Sequence, residues 1–420
     1  MDHLNPAHGV AAGAADSLAA AKGAYRFFDN ERVSLPALGG PLQAAAEAYV
    51  AAQAPPALLV AHDWSALPYK GHASKRDQVQ MSNREDVGYE LLAALAVDAR
   101  TGDPVAPLHL QLRAADRIHS TRVPAPKRDA FWLDELGKTM DAVDRLRLGR
   151  TVVHVVDREA DSLAHYREWH AAGRRFLVRA DDDRLVQHEG VERKLPDLVK
   201  MLDETGRFAT AGVAAKGSRP CTLEVAEVDV VLHRTAWRHR TVGAKTHERV
   251  AGPPLPLRFV VARLRSESGK VEATWLLFTN VAAEFDAATI ASWYYFRWRI
   301  ETFFKLLKSA GMELEHWQQE SAGRVARRLL VACMACVVVW RLERATAADD
   351  VALRETAMKL SGRLTKSSKP FTAPALLVGI WRLLGALLLL ETHSPAAIAR
   401  LGSTLDAALP RAPQPPDDTS

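Results

Sequence analysis

At 420 residues, with 48% hydrophobic and 25% charged side chains, the chain has an ordinary globular balance that fits two or three domains and excludes a wholly disordered chain. A formal net charge of +5 suits a polyanionic partner without requiring one. Three cysteines exclude a disulfide framework; Cys333 and Cys336 lie in the apolar run Leu329 to Trp340, with no second Cys or His pair to complete a zinc site, so they read as packing residues. The N-terminus has no basic region followed by an apolar core, as a secretion signal would. The run Leu383 to Leu390 is too short to cross a bilayer. A soluble, cytoplasmic protein without a membrane partner is expected.

In chain order, an Ala/Gly-rich opening leads to Tyr25, Phe27 and Phe28, which read either as a helix-docking cluster or as DNA contacts. Pro55 and Pro56 mark a boundary. Ala57 to Asp63 then reads as a short buried strand closed by a carboxylate, which either presents a metal ligand at a sheet rim or begins a turn. Gly88 to Val97 and Pro104 to Arg113, joined by a loop with hairpin chemistry, extend it into an antiparallel meander. The intervening loop carries Lys70, His72, Lys75, Arg76 and Arg84, either solvated or leaning on a phosphate backbone.

Arg128 to Leu146 has a helical pattern, and the β-branched run Thr151 to Val156 reads as a central strand closed by Asp157-Arg158-Glu159-Ala160-Asp161. Glu159 and Asp161 are expected to cap or salt-bridge a helix over Ala160 to His170. After a strand over Arg175 to Ala180, residues 181–273 turn to short alternating segments, a β-rich insertion. Its loop with Trp237, Arg238 and Arg240, followed by Lys245, His247 and Arg249, either lies along duplex DNA or forms solvated hairpin tips. Thr274 to Asn280 is again a strand, on which Trp275 reads most simply as core. Beyond Gly311 the pattern is helical to residue 408, and residues 409–420 are Pro- and Asp-rich and expected to be disordered.

Between these lies the most informative stretch. Asp286 is placed to cap a helix, no Pro or Gly interrupts Ala287 to Ala310, and Gly311 suits the left-handed position after it. At about 100° per residue, Arg297, Glu301 and Lys308 fall within roughly 60° of Tyr294, so four polar groups share one exposed seam. Trp293, Tyr295, Phe296, Ile300, Phe303, Phe304, Leu306 and Leu307 fill the rest. One carboxylate beside two cations and a phenol suits a site that holds a phosphodiester: the carboxylate takes a hard divalent cation, and Arg297 and Lys308 grip phosphate oxygens. A solvated stripe of ordinary helical ion pairs is the alternative.

The pattern Tyr-x2-Arg-x3-Glu-x6-Lys, present as Tyr294, Arg297, Glu301 and Lys308, resembles the signature of the insertion sequence four family of bacterial DDE transposases. Asp157 with the following Arg-Glu-Ala-Asp is similar to that family's second catalytic motif, and Asp63 stands where the first catalytic Asp is expected, followed by Trp64 and Ser65 in place of the usual small polar pair. The resemblance implies an α/β fold with a ribonuclease H-like mixed sheet and flanking helices, in which Asp63, Asp157 and Glu301 are both catalytic residues and ligands of two Mg²⁺ ions, with Mn²⁺ able to substitute. It places Arg179 near DNA and gives Trp275 a part in handling an extruded base. It divides the chain into a remnant of a DNA-binding domain (1–50), the catalytic core (51–180 and 274–318) around the β-rich insertion (181–273), a helical dimerisation region (319–408) and the tail. The implied activity is cut-and-paste transposition: nicking at terminal inverted repeats, a hairpin intermediate, and joining to target DNA by a homodimer. The sparse N-terminus leaves open a shortened inhibitor acting through mixed dimers, and a metal-dependent nuclease without strand transfer is a third reading.

Overall fold

The structure, a computed structural model, describes residues 18–81, 85–128, 131–216, 219–239, 247–309, 312–363 and 371–408. Arg84, Arg240, Lys245, Gly311 and the tail from 409, all singled out in the sequence, lie outside these. The architecture is α/β, built on one large mixed sheet.

Two N-terminal helices, α1 (Leu18–Asp29) and α2 (Leu35–Gln53), precede the first strand, β1 (Leu58–Pro68). A two-residue β2 (Val79–Gln80), then β3 (Val87–Asp98), β4 (Pro104–Arg113) and β5 (Ile118–Ser120), complete the antiparallel meander. Helix α3 (Trp132–Asp144) leads into β6 (Val152–Val156), and α4 (Leu163–Ala171) into β7 (Arg175–Arg179). Both strands run parallel, β6 beside β1 and β7 beside β6. Their central residues are buried on both faces, as expected of covered parallel strands, His154 being the one polar residue inside β6.

The 181–273 region contributes β8 (Leu185–His188), β9 (Val191–Lys194), α5 (Leu195–Glu204), β10 (Ala209–Lys216), β11 (Arg219–Leu232), β12 (Ala236–His239), β13 (His247–Val250) and β14 (Leu255–Arg265). Next comes β15 (Val271–Thr279), which pairs with both β14 and β7. The sheet order is therefore β5-β4-β3-β1-β6-β7-β15-β14-β11-β8-β9, with β10 on β11 and β2 on β3. The β-rich region continues the central sheet; only β12 and β13 form a separate ribbon.

The helix expected to run unbroken from Ala287 is two: α6 (Ala287–Phe296) and α7 (Trp298–Lys308). Asp286 caps α6 as expected, accepting from the Thr289 amide at 2.8 Å. At the break, Arg297 keeps right-handed dihedrals, but its amide donates to Tyr294 O and its carbonyl accepts from Ile300, a tighter three-residue spacing. The β3–β4 turn braces the break: Arg299 Nε donates to Gly102 O at 2.6 Å and Trp293 Nε1 to Ala99 O at 2.9 Å. A disturbed backbone bond costs about 1 kcal/mol. Burying Trp293, Ile300, Phe303 and Leu307 contributes about 1.5–3 kcal/mol each, so packing decides the shape.

Four helices follow: α8 (Ala322–Arg344), α9 (Ala348–Ser361), α10 (Ala373–Thr392) and α11 (Pro395–Ala408). Cys333 and Cys336 are buried free thiols on α8. The aromatic motif near the N-terminus docks on this helix, with Phe28 buried, its carbonyl accepting from Arg327, and Asp29 paired to Arg324 at 2.5 Å. The apolar stretch at Leu383 to Leu390 is longer in the structure than its eight residues suggest. The apolar run around Leu383 belongs to a 19-residue window, Ala373–Glu391, long and apolar enough by length and composition to cross a membrane; 22% of it is buried in the fold.

A glycine marks the tightest approach beside β1. A Cβ added at Gly88, which lies between Pro68 of β1 and Val79 of β2, would overlap the Leu67 carbonyl. Gly88→Ala is expected to lower stability by about 1–3 kcal/mol, the usual cost of overpacking, read from urea denaturation.

Candidate active site

Strand register brings the first two acids together. β1 and β6 pair in parallel from Leu58↔Val152 to His62↔Val156, and the ladder stops there. The next residues on the two strands are Asp63 and Asp157. β1 itself does not end at Asp63, as expected from sequence, but runs on to Pro68 paired only with β3. Asp63 therefore sits where one neighbour has left the sheet, which opens a rim beside a strand that is still held. Asp157 leaves β6 in an extended conformation and caps a short 3₁₀ turn, Arg158–Ala160, through the Arg158 amide at 2.7 Å.

The helix break supplies the remainder. Arg297 sends Nη1 to Asp63 Oδ2 (3.2 Å) and Nη2 to both Asp157 Oδ2 (2.8 Å) and Glu301 Oε1 (3.0 Å). One guanidinium thus joins three carboxylates from three elements. The Tyr294 hydroxyl donates to Asp157 Oδ1 at 3.0 Å, and Arg179 stands 3.7 Å from the same oxygen. Trp275 is half-buried on β15 with its ring centroid 6.0 Å from that of Tyr294. Lys308 extends the line along β1, donating to Ala66 O at 2.6 Å and pairing with Glu315 at 3.0 Å.

The seam is not exposed as the helical projection implied. The Arg297 side chain is 6% exposed and Tyr294 is buried, whereas the side chains of Asp63, Asp157 and Glu301 keep 17%, 26% and 35%. Burial works against the Asp157 charge, but Arg297, the Arg158 amide, Tyr294 and Arg179 outweigh it and hold its carboxyl below the ordinary range. At Asp63 burial outweighs Arg297 and the carboxyl is raised. Arg297 also loses by burial, yet Asp157, Tyr294, Asp63 and Glu301 together raise it, so it stays charged.

Glu159, expected to cap or salt-bridge the following helix, stands apart from that reading. It forms no ion pair among the described residues and caps no helix; the residue is exposed, yet partial burial of its carboxyl and the charges of Asp63 and Asp157 push that carboxyl up to about 7. Only its place two residues after Asp157 hinted at this. Asp161 does take the structural part foreseen, accepting from Tyr166, the Asp181 amide and Arg184. The helix there begins at Leu163, later than expected. Both Glu159 and Asp161 border an open cleft of about 1060 Å³ lined also by Phe131, Trp132 and Trp237.

Two basic positions are turned inward. Arg238 is tied to Asp134 at 2.7 Å and to Glu168, so its charge is already answered within the protein. Lys75 is buried, donating to Trp317 O at 2.6 Å above the Tyr69 ring, and the loop that carries it is not simply solvated.

The three carboxylates and two guanidinium groups, Arg297 and Arg179, leave one net negative charge and only hard oxygen donors, a set that fits a divalent cation of the Mg²⁺ class. A second possible ligand group, Asp77, Asp116 and His119, has its ligand atoms within 4.8 Å of one another, but Tyr89 and the Ala322 amide already occupy Asp77 and Arg117 occupies Asp116.

Removing the shared cation leaves three facing acids. Arg297→Met is expected to cost about 3 kcal/mol at pH 7, at the low end for a buried pair because Glu301 keeps solvent access. The loss should shrink as pH falls, since protonation then relieves the unpaired carboxylates. The single-acid variants differ in sign. Asp157, depressed in the fold, contributes stability above its unfolded pKa, and Asp157→Asn should lower Tm at pH 7; Asp63, raised in the fold, opposes folding when ionised, and Asp63→Asn should leave Tm equal or higher.

The family described as the transposase DDE domain matches residues 55–338, a span that begins just before β1 and ends within α8. It covers all three acids and more than half of the sequence. The chain belongs to the DDE-domain transposase family.

Proposed function

We propose that this protein is a cut-and-paste DNA transposase of the insertion sequence four type, with Asp63, Asp157 and Glu301 as its catalytic carboxylates. The observation that carries the reading is the convergence of those acids on Arg297 from two neighbouring parallel strands and a helix. The family as a whole acts on DNA and depends on divalent metal. The strand order β4-β3-β1-β6-β7, a meander followed by two parallel strands, supports a ribonuclease H-like core, and residues 181–273 then act as an insertion that prolongs its sheet.

Asp63, Asp157 and Glu301 would hold two Mg²⁺ ions, or Mn²⁺ in their place, which supply Lewis-acid activation of the attacking oxygen and stabilise the leaving one. Tyr294 keeps Asp157 oriented through its hydroxyl. Arg297 balances the acids until substrate arrives and then offers its guanidinium to phosphate oxygens, with Lys308 and Arg179 beside it. Trp275, next to Tyr294, presents an aromatic face suited to an unstacked base at the element's end. Arg238 belongs to the ribbon that would follow duplex DNA, exchanging its carboxylate partners for phosphate, and Arg240, which lies outside the described residues, would take the same DNA-binding part. The reaction runs by hydrolytic nicking, attack of the freed 3′-hydroxyl on the opposite strand to give a hairpin, hairpin opening, and transfer of the 3′ end to target DNA. The helices after residue 319 would join two copies in the synaptic complex, in the bacterial cytoplasm.

Plasmid carrying matched terminal repeats, incubated with the protein and Mg²⁺, should be nicked and joined, and chelation should abolish both. Glu301→Ala should lower cleavage by at least about a thousandfold while near-UV circular dichroism stays native. Unchanged turnover would remove Glu301 from the site. Cleavage without joining of a pre-cut 3′ end would leave the nuclease reading.

A further inference from the structure

Behind the acids, on the opposite face of the sheet, two fully buried histidines bridge the same pair of strands. His62 Nε2 lies 2.9 Å from His154 Nδ1, and His154 Nε2 lies 3.1 Å from Asp144 Oδ1 at the end of α3. Both rings are 0% exposed. Side chains alternate along a strand, so His62 and His154 share the face of Val60 and Ala94, while Asp63 and Asp157 belong to the other.

With both rings neutral, the chain of bonds has one direction. A carboxylate only accepts, so His154 carries its proton on Nε2, its Nδ1 accepts, and His62 donates from Nε2. That leaves His62 Nδ1 as a buried lone pair with no partner among the described residues. An apolar pair in this place would avoid that cost, so stability alone does not account for two imidazoles. Their position does. The β1–β6 ladder ends at His62↔Val156, and the bond between the rings clamps its last rungs immediately before both strands release their acids. Asp144, itself paired to Arg174 at 3.3 Å, anchors the clamp to α3.

We infer that His62, His154 and Asp144 are positioning residues that fix the separation of Asp63 and Asp157 for metal binding. The inference rests on the metal-site reading above. It also assigns a function to residues that never touch DNA or metal.

The test uses the full chain and Mn²⁺ as probe, counting free Mn²⁺ by electron paramagnetic resonance and recording Tm alongside. His62→Leu/His154→Leu removes both partners, so Tm should stay at or above the wild-type value. Half-saturating Mn²⁺ should nonetheless rise about tenfold, as for loss of other groups that orient metal ligands. A folded double variant with unchanged Mn²⁺ affinity would overturn the inference. Should that variant fail to fold, Asp144→Ala, at a position with 35% of its side chain exposed, removes the anchor alone. It should weaken Mn²⁺ binding in the same direction by less, and unchanged binding would again overturn the inference. Asp157→Ala separates the two layers: if it too leaves Mn²⁺ binding intact, the metal site itself is wrong and the clamp falls with it.

Discussion

One buried guanidinium holds the centre of this molecule together. Arg297 is nearly inaccessible and answers three carboxylates that arrive from β1, from the end of β6 and from the next turn of its own helix pair. Three like charges at one spot repel, and in a setting of reduced dielectric that repulsion is felt strongly. A fixed positive centre among them turns the repulsion into attraction and sets their distances. The helix break is part of this arrangement, because Arg297 is the residue at which α6 gives way to α7.

The sheet contributes through register. Parallel pairing of β1 with β6 makes Asp63 and Asp157 successors of the same rung, and the end of the ladder leaves room beside them. Continued pairing of β1 with β3 keeps Asp63 from fraying. A strand anchored on one side and open on the other can hold a ligand still and leave it accessible, which a strand end alone would not do.

Much of this was legible in the amino acids. The β-branched run before Asp157, the apolar runs and hairpin loop of the meander and the cap at Asp286 each follow from local chemistry, and the Tyr294, Arg297, Glu301 spacing marked the residues that the fold brings together. What escaped was non-local. The length of β1 depends on β3, which no property of Ala57 to Asp63 reveals. The break at Arg297 contains no Pro or Gly, and what holds it, core packing and the β3–β4 turn, is distant in sequence. Arg238 and Lys75 looked like surface cations because their partners, Asp134, Glu168 and the Trp317 carbonyl, are distant in sequence. Glu159 looked like a cap because charge crowding is visible only in three dimensions.

The continuity of the sheet through β15 and β14 has a mechanical meaning. Strands β10 and β11 belong to the same ladder of amide bonds that carries β6 and β7, and β8 joins it at the single pair Gln187–Val231. Force applied far out, on β11, travels through β14 to β15, the strand that bears Trp275 beside Tyr294. The outer strands are thus joined through one continuous sheet to the strand that carries Trp275 beside Tyr294.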